Sequence, residues 1–406
     1  MNNPHYLQPV RITDNVYWVG AVDWNVNEFH GYRTVRGSTY NAFLILDEKI
    51  TLIDTVKAPF KNHLLSRISA IVDPEKISYI VSNHAEPDHS GCLAEVAALV
   101  KPEKIFASTA GKKALLQHYE FDQDIEAVKT GDEISLGRET IRFIETKMVH
   151  WPDSMFSYLV GDKMLFSQDA FGMHLAGSAL FADEYEHDIL HWEAEKYYAN
   201  ILMLYSGKIK QLLEKLPEFK LDIKYLAPDH GPIFRRSEDI AMIIGWYRNW
   251  VDLPLSRKAV VVYDTMWHAT EKMAFAIADG LRDAGAEPHL IRIGARDRSQ
   301  VATELLDSGA IIAGSPTLNN QLFPSMADVL TYLKGLRPQN RIGAAFGSFG
   351  WSGEGVAQVE TYLRDMNVEI VADSIKQKYV PKTDDLQRCY EQGRKVGEEL
   401  LRRLKK

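Results

Sequence analysis

The sequence predicts an α/β protein that consists of two layered domains. Up to about residue 250, strand-like and helix-like runs alternate in the way typical of a sandwich of sheets with flanking helices. A Pro-containing stretch over residues 252–256 then interrupts the pattern, because proline ends a helix. Beyond it, strands and helices alternate regularly. We therefore predict a first domain over residues 1–253 and a second over residues 254–406.

The first domain is predicted from short β-branched runs and from longer runs in which apolar residues recur at helical spacing. The run Ile-Ser-Tyr-Ile-Val at residues 77–81, for example, is typical of a buried strand. The predicted strands are residues 16–22, 40–46, 50–54, 77–81, 104–107, 140–145, 156–160, 163–166 and 223–227. The predicted helices are residues 59–72, 92–100, 111–118, 191–205, 208–215 and 238–251.

The second domain contains a regular alternation of predicted strands and helices. The strands are residues 258–263, 289–293, 310–313, 341–346 and 368–372. The helices are residues 271–284, 300–306, 326–336, 356–366 and 386–404. Such an alternation within ~150 residues fits a doubly wound parallel sheet, in which ligands bind beyond the carboxyl ends of the strands.

The composition excludes several classes of protein. A net charge of −8 and a pI of about 5.9 give no electrostatic reason to expect binding to nucleic acid or to an anionic membrane. The only cysteines, Cys92 and Cys389, cannot supply a disulfide framework or a thiolate-ligated iron site within this chain. We find no signal peptide and no apolar run of roughly 18 residues, so we expect a cytoplasmic protein.

The stretch after the predicted strand 77–81 is the most informative part of the sequence. Within six residues it places two imidazoles and two carboxylates, and three more candidate ligands also follow strand-like runs. Loops that follow strands can meet at one end of a layered sheet, so the set predicts a binuclear metal centre. The candidate ligands are His84, Glu86, Asp88, His89, His150, Asp169 and His230.

The types of ligand favour iron over zinc. The set combines histidines with three carboxylates and no cysteine, and added carboxylate suits a harder, redox-active metal. Asp169 is the expected bridge, because a two-metal site needs one anion shared between both ions. The alternative interpretation is that His84 and His89 are surface loop residues and that Asp88 caps a helix starting near Gly91.

Three loops that follow strands of the second domain are rich in hydroxyl groups and glycine, and together they predict an FMN site. Hydroxyls and backbone N–H groups at a helix N-terminus suit one phosphate, and the absence of Gly-x-Gly-x-x-Gly disfavours FAD or NAD. Trp351 can stack on the isoalloxazine ring. The alternative is that Thr270 is an N-cap and Trp351 a core residue. The candidate FMN-binding residues are Thr265, Met266, Trp267, His268, Ala269, Thr270, Ser315, Pro316, Thr317, Asn319, Ser348, Phe349, Gly350 and Trp351.

Together, these motifs resemble the flavodiiron protein family (A-type flavoproteins), most closely its rubredoxin:oxygen oxidoreductase and nitric oxide reductase type. The stretches Asp-Trp-Asn at residues 23–25 and Phe-His-Gly-Tyr at residues 29–32 also look like this family. The resemblance implies a metallo-β-lactamase-like αββα sandwich followed by a flavodoxin-like doubly wound parallel sheet. The motifs that carry it are His84-x-Glu86-x-Asp88-His89, His150 in His-Trp-Pro-Asp-Ser, Asp169, and His230 in Pro-Asp-His-Gly.

The resemblance also implies the cofactors and the reaction. It implies FMN and a non-haem centre of two iron ions, and reduction of O2 to water, of NO to N2O, or both. The family's electron donors are rubredoxin or a reduced deazaflavin, and its head-to-tail dimers imply a homodimer or a dimer of dimers. The implied ligands of one iron are His84, Glu86, His150 and Asp169, and those of the other are Asp88, His89, Asp169 and His230.

Two tyrosines are candidate catalytic residues. Tyr197 and Tyr198 lie in a predicted helix that is expected to border the metal site. A tyrosine there can donate a proton or a hydrogen bond to bound oxygen. The alternative is that both are packing residues.

Two other functions stay open at the level of sequence. One is a zinc-dependent hydrolase of the metallo-β-lactamase type fused to a flavodoxin-like module. Glu86 argues against it, because those hydrolases have a third histidine at that place. The other is an electron carrier that uses FMN alone, against which the complete ligand set argues.

Overall fold

The computed structural model describes residues 7–295 and 297–405. They divide into two compact units. The first comprises the described residues up to Phe29, together with Thr34–Tyr197 and Gly207–Arg248. The second comprises His30–Arg33, Tyr198–Ser206 and the described residues from Asn249 onward.

Short strands and helices make up the chain as far as residue 250. The strands are β1 Val10–Arg11, β2 Val16–Trp18, β3 Ala21–Asp23, β4 Glu28–Phe29, β5 Tyr32–Arg33, β6 Ser38–Tyr40, β7 Phe43–Ile45, β8 Thr51–Ile53, β9 Tyr79–Ser82, β10 Lys104–Ser108, β11 Ile125–Val128, β12 Glu133–Ser135, β13 Thr140–Glu145, β14 Met155–Leu159, β15 Met164–Gln168 and β16 Tyr225–Pro228. The helices are α1 Lys61–Ser69, α2 Pro87–Ser90, α3 Leu93–Val100, α4 Thr109–His118, α5 His187–Tyr197, α6 Ser206–Lys215 and α7 Ser237–Trp250. A π-helical turn, Tyr198–Leu202, directly continues α5.

Two large sheets form the framework of the first unit. One has seven strands in the order β1-β2-β7-β8-β9-β10-β11, and the other has five strands in the order β12 to β16. Strands β8 to β11 are parallel, and β16 is parallel to β15. Strands β8 and β9 are almost wholly buried, as is usual inside a parallel sheet, whereas β11, at the edge of the sheet, exposes Glu126 and Ala127.

The two sheets pack face to face, with helices on their outer faces. Leu52 and Ile80, on the outer face of the seven-stranded sheet, belong to the same apolar cluster as residues of α1, α3 and α4. Beyond the five-stranded sheet, Phe171 lies 4.8 Å, between ring centroids, from Tyr247 of α7. This architecture confirms the predicted αββα sandwich. The core between the sheets includes Val16, Trp18, Phe43, Ile45, Ile53, Val81, Phe106, Ile141, Phe143, Met155, Leu159, Met164 and Phe166.

The structure differs from the predicted elements in two places near the candidate metal site. The predicted strand 16–22 is divided into β2 and β3, which pair in different sheets. The break contains Gly20, where a Cβ atom would lie 2.3 Å from the carbonyl oxygen of Tyr40, so this close approach of two chain segments requires glycine. The predicted helix 92–100 is preceded by the one-turn helix α2, which carries Asp88 and His89.

The second unit is built around one parallel sheet. Its strands are β17 Lys258–Tyr263, β18 Glu287–Arg292, β19 Ala310–Gly314, β20 Thr317–Leu318, β21 Gln321–Leu322, β22 Ile342–Phe349, β23 Glu369–Ile370 and β24 Ile375–Lys378. Its helices are α8 Ala269–Asp283, α9 Arg298–Leu305, α10 Pro324–Leu336, α11 Glu354–Asp365 and α12 Thr383–Leu404. Among the described residues, no helix is long and apolar enough to cross a membrane.

The strand order confirms the predicted doubly wound fold. The sheet runs β18-β17-β19-β22-β23, and all neighbours are parallel. The long strand β22 pairs with β23 along its first half and with β24 along its second. An order in which the chain moves outward first in one direction and then in the other creates a crevice at the carboxyl ends of the central strands.

Helices α8 and α12 pack closely against each other on one face of this sheet because each contributes a glycine to the contact. A Cβ atom at Gly393 would lie 2.0 Å from the carbonyl oxygen of Ile277, and one at Gly280 would lie 2.0 Å from that of Tyr390. We expect Gly393→Ala to lower the free energy of unfolding by about 1–3 kcal/mol or more, because the helices must move apart. The measurement is urea unfolding followed by circular dichroism.

Gly335 in α10 offers a matched control for this prediction. A Cβ atom added there meets nothing within 4 Å. Gly335→Ala should be neutral or should stabilise the protein by about 0.5–1 kcal/mol, because alanine is the better helix former. Equal unfolding midpoints for the Gly393→Ala and Gly335→Ala variants would contradict the prediction.

Candidate functional site

The first group of candidate ligands follows β9 in a loop that hydrogen bonds hold in place. Asn83 donates from its backbone N–H and its side-chain amide to the carboxylate of Asp54, at 2.7 and 2.8 Å. Thr55 donates from its backbone N–H and its hydroxyl to the carbonyl oxygen of His89, at 3.0 and 2.5 Å. The loop between β9 and α3 is therefore anchored at its beginning and near its end.

Gln168, the last residue of β15, links the other three ligand loops. Its side-chain amide donates to the carbonyl oxygen of Val149 at 2.6 Å, next to His150. Its side-chain oxygen accepts from the N–H of Asp169 at 2.6 Å, and its backbone oxygen accepts from the N–H of Asp229 at 2.9 Å. Because β15 and β16 are parallel, the residues that follow them lie at one edge of the sheet.

The seven predicted ligands come together as two adjacent groups, and Asp169 faces both. In the first group, the Nε2 atoms of His84 and His150 lie 3.2 and 2.9 Å from Oδ2 of Asp169. They lie 3.2 and 3.3 Å from Oε2 of Glu86. These four residues are buried, and one ligand atom of each lies within 4.8 Å of the others.

The second group mirrors the first. The Nε2 atoms of His89 and His230 lie 3.2 and 3.1 Å from Oδ2 of Asp88. They lie 3.3 and 3.5 Å from Oδ1 of Asp169. One carboxylate therefore directs one oxygen to each group.

These distances fit two metal ions. Two donors that are each about 2.1 Å from one ion, at an angle of about 90–110°, lie roughly 3.0–3.4 Å apart. Both carboxylate oxygens of Asp88, Nε2 of His89 and Oδ1 of Asp169 are buried and make no hydrogen bond among the described residues. Buried polar atoms without partners are costly, and metal coordination satisfies them.

The charges of the site also require cations. Burial alone lowers the pKa of His84 and His89, but nearby carboxylates, chiefly Asp169 and Asp88 respectively, raise it well above the ordinary value. At His150, burial also lowers the pKa, but Asp169 and Glu86 outweigh burial and raise the pKa to about 9. Without a metal, the carboxylates therefore keep the imidazoles protonated, and a metal ion would replace those protons.

The structure adds a residue that orients His84 and that the sequence analysis did not assign. His84 donates from Nδ1 to Oδ2 of Asp153 at 3.0 Å, and the N–H of Ala85 donates to the same oxygen at 2.6 Å. This bond fixes the imidazole so that Nε2 points to the metal group, as outer-shell carboxylates commonly do. The signal in the sequence was the acidic residue within His-Trp-Pro-Asp-Ser.

Two further histidines among the predicted ligands, His230 and His89, differ in what holds their Nδ1 atoms. His230 donates from Nδ1 to the carbonyl oxygen of Thr39 at 2.6 Å. Nδ1 of His89 lies 3.6 Å from Asp229, which is too long for a hydrogen bond. Burial, and then the nearby Asp54, raise the pKa of the Asp229 carboxyl well above its ordinary value.

The two candidate catalytic tyrosines have different surroundings. The ring of Tyr197 lies 6.2 Å from that of His230 and 5.2 Å from that of His174, so it borders the second group. The hydroxyl of Tyr198 lies 3.0 Å from that of Ser206, and its ring packs on Trp250. The alternative role for Asp88, as a helix cap, is wrong, because Asp88 lies inside α2 and its carboxylate oxygens accept no hydrogen bond from the residues that the structure describes.

The second unit has a cavity of about 570 Å³ beyond the carboxyl ends of β17, β19 and β22. Ten of the fourteen candidate FMN-binding residues line it, and a volume of this size suits a flavin ring. The predicted residues at the cavity are Met266, Trp267, Ala269, Pro316, Thr317, Asn319, Ser348, Phe349, Gly350 and Trp351. The sequence analysis missed Leu318, Asn320, Ser352, Tyr379 and Val380.

The remaining four candidates, Thr265, His268, Thr270 and Ser315, do not line this cavity. Thr270 is fully buried, and its hydroxyl lies 2.8 Å from that of Ser348. The hydroxyl of Ser315 accepts a hydrogen bond from the N–H of Phe323 at 2.8 Å. Both side chains therefore hold neighbouring loop residues in place by hydrogen bonds and do not face the cavity themselves.

The alternatives for Thr270 and Trp351 are wrong. His268, not Thr270, is the N-cap of α8. Trp351 is 87% exposed, so it is not a core residue. The hydroxyl of Thr265 is buried and makes no hydrogen bond among the described residues. This is expected of a hydroxyl whose hydrogen-bond partner is a phosphate oxygen of the bound cofactor.

Comparisons with known proteins agree with both sites. Residues 39–231 match the family described as ODP family beta lactamase, and residues 261–393 match the flavodoxin family. The chain is 44% identical over 394 residues to a nitric oxide reductase of Moorella thermoacetica, covering 96% of this chain and 98% of that protein. It is 42% identical over 401 residues to a rubredoxin-oxygen oxidoreductase of Megalodesulfovibrio gigas, covering 98% and 99%. The chain therefore belongs to the flavodiiron protein family.

Solved structures agree with this assignment. The rubredoxin oxygen:oxidoreductase from Desulfovibrio gigas superposes with a TM-score of 0.95 at 41% identity and covers 98% of this chain and 100% of that one. The flavodiiron protein from Giardia intestinalis gives 0.94 at 36% identity and covers 98% of both chains. This flavodiiron protein is thus an oxidoreductase whose cofactors are FMN and a non-haem di-iron centre, and the two ligand groups and the cavity fit them.

Metal binding should release protons from this site. At pH 7 the metal-free protein holds protonated imidazoles, so we expect binding of Fe(II) to displace them. The release should decrease as the pH rises through about 9, because His150 is then already neutral before the metal binds. Anaerobic calorimetry in two buffers of different ionisation enthalpy measures it. A release that does not change between pH 7 and pH 10 would contradict the prediction.

Proposed function

We propose that this flavodiiron protein reduces O2 to water, NO to N2O, or both, at the two metal groups joined by Asp169. The observation that carries the proposal is the direction of this carboxylate, one oxygen toward each group. A bridged pair of metals suits a reaction that needs more than one electron at one place. The names of the relatives support O2 and NO as substrates and rubredoxin as the electron donor.

We assign each iron its ligands from the two groups. The proposed ligands of one iron are His84, Glu86, His150 and Asp169, and those of the other are Asp88, His89, Asp169 and His230. Two ferrous ions would supply electrons to O2 or NO. FMN would then return electrons to the irons one at a time. The contribution of the chain is to keep these groups buried, so that bulk water does not compete for the open positions.

Protons must also reach the buried site, because reduction of O2 to two water molecules consumes four protons, and formation of N2O from two NO molecules consumes two. Tyr197 is the better candidate for the donor, since its ring borders His230. Tyr198 contacts Ser206 through its hydroxyl and Trp250 through its ring, which favours a packing role.

The zinc hydrolase is not favoured. Glu86 occupies the place of a third histidine. The relatives that match almost the whole chain are named as a nitric oxide reductase and a rubredoxin-oxygen oxidoreductase. The carboxylate-rich ligand set suits iron.

A cytoplasmic location stays a prediction.

The decisive experiment is anaerobic reduction of the iron- and FMN-loaded protein, followed by stopped-flow mixing with O2 and, in parallel, with NO. We expect rapid reoxidation by at least one of them. Asp169→Ala should lose at least one iron and at least about 100-fold in this rate, because a shared ligand is removed, while FMN stays bound in the other unit. An Asp169→Ala protein with two irons and full turnover would contradict the assignment.

We further propose a head-to-tail homodimer, alone or paired into a tetramer, in which the FMN of one subunit serves the irons of the other. Two tryptophans at the FMN cavity, Trp267 and Trp351, are 84% and 87% exposed, and Tyr379 is 62% exposed. Exposed aromatic groups of this size at one place are typical of a surface that is covered by a ligand or a partner. A two-fold dimer covers both copies in the same way.

Mixed dimers test this arrangement. One partner carries Asp169→Ala, and the other carries Thr270→Ala with Trp351→Ala to prevent FMN binding. If cofactors cooperate across subunits, mixing the two inactive proteins should restore one working pair in each mixed dimer, up to about half of the wild-type activity per dimer. Mixed dimers that form but stay inactive would show that electrons pass within one chain.

A further inference from the structure

A second cavity lies in the first unit and has no part in the proposed reaction. Its volume is about 380 Å³, and its walls are mainly apolar and aromatic. Of the side chains that the structure describes, two that are cationic or potentially cationic, Arg67 and His63, line it, and no carboxylate does. The apolar side chains that line it are Leu7, Val10, Trp18, Val22, Trp24, Leu175 and Leu180.

Arg67 is a buried cation whose hydrogen-bonding capacity is largely unused. Only 9% of the residue is exposed, and its guanidinium packs on the face of Trp18 at 4.7 Å. Nε donates to the carbonyl oxygen of Gln8 at 3.2 Å, but Nη1 is buried and has no hydrogen-bond partner among the described residues. Within residues 7–295 and 297–405, no carboxylate forms an ion pair with it. A buried charge without a counterion is unfavourable unless a ligand supplies one.

Among the described residues, one other arginine is deeply buried, and it shows what a structural guanidinium looks like in this protein. Arg341, in the second unit, is 2% exposed. It donates to the carbonyl oxygens of Leu253, Leu305 and Leu306 at 3.0, 3.1 and 2.7 Å. These bonds use both Nη atoms, so Arg341 needs no further partner. Arg67 has one such bond.

The cavity carries a single positive charge at neutral pH. Burial lowers the pKa of Arg67 to about 10, which still leaves the guanidinium protonated. Burial, and then the neighbouring Arg67, lower the pKa of His63, so its imidazole is neutral. One charge among apolar walls matches a ligand with one negative charge and an apolar body.

We propose that this cavity is a binding site for a small organic carboxylate with an apolar or aromatic body. The carboxylate would accept a hydrogen bond from the Arg67 guanidinium, which lines the cavity and whose face packs on Trp18. The apolar body would lie against Val22, Leu175 and Leu180. Inorganic anions lack this body, so they should bind much more weakly.

The site has a structural connection to the second metal group. Thr39 and Gly231 also line the cavity. Thr39 accepts the hydrogen bond of His230 at its carbonyl oxygen, and its hydroxyl accepts from the N–H of Gly231 at 2.7 Å. A bound carboxylate would therefore contact the residues that hold a proposed iron ligand.

The test is calorimetric titration of the iron- and FMN-loaded protein with 2-naphthoate and with its neutral analogue 2-naphthamide. The loaded protein is used so that the FMN cavity is filled. We expect 2-naphthoate to bind once per chain and at least about tenfold more tightly than 2-naphthamide, because only the acid can pair with Arg67. Equal affinities, or no heat with millimolar 2-naphthoate, would overturn the proposal.

Variants locate the binding. Arg67→Gln should weaken 2-naphthoate binding at least about tenfold and leave 2-naphthamide unchanged. Arg138→Gln removes the same charge from a side chain that is 73% exposed and should change neither affinity. Ala179 also lines the cavity. Ala179→Phe keeps Arg67 and puts an aromatic ring at this wall, so it should abolish binding of both compounds even if Arg67→Gln does not fold. Binding that survives Ala179→Phe would place the ligand elsewhere and overturn the proposal.

Discussion

The structure of the first unit depends on a carboxylate that two groups of ligands share. Asp169 lies at the end of a buried strand and directs Oδ2 to His84 and His150, and Oδ1 to His89 and His230. Three carboxylates and four imidazoles in a buried site are costly unless cations neutralise them. The site is therefore stable as folded only when two metal ions, or the protons that stand in for them, are present.

The hydrogen bonds around the site serve the same requirement. Asp153 and Thr39 fix the Nδ1 atoms of His84 and His230, while Gln168 ties three ligand loops to one strand end. None of these residues needs to touch a metal. Their effect is to orient the lone pairs before metals bind, so that less conformational entropy is lost on coordination. His89 is the exception, since Asp229 lies too far away to hold its Nδ1 atom by a hydrogen bond.

The buried polar groups of this protein fall into two classes, those that have hydrogen-bond partners and those that do not. Arg341 is satisfied by backbone carbonyl oxygens and acts in the packing of the second unit. Arg67 and the metal ligands keep buried polar atoms that have no hydrogen-bond partner among the described residues. Thr265, at the end of β17, belongs to the second class. Since folding does not favour unsatisfied buried groups, those that lie among the candidate ligands or beside the two cavities indicate where this protein binds metals and ligands.

The sequence by itself determined the fold class, the cofactors and the candidate ligands, because strands, their loops and ligand chemistry are local properties of the chain. His84 to His89, His150, Asp169 and His230 were visible as polar residues after apolar runs. Only the tertiary structure decided which residues face each other. It directed one oxygen of Asp169, the expected bridge, to each group, assigned Asp153 to His84, and distinguished Tyr197 from Tyr198. It also brought Tyr379 and Val380 to the FMN cavity, and it placed no carboxylate of the described residues in an ion pair with Arg67. These facts depend on contacts between residues far apart in the chain, and such contacts form only when the sheets pack.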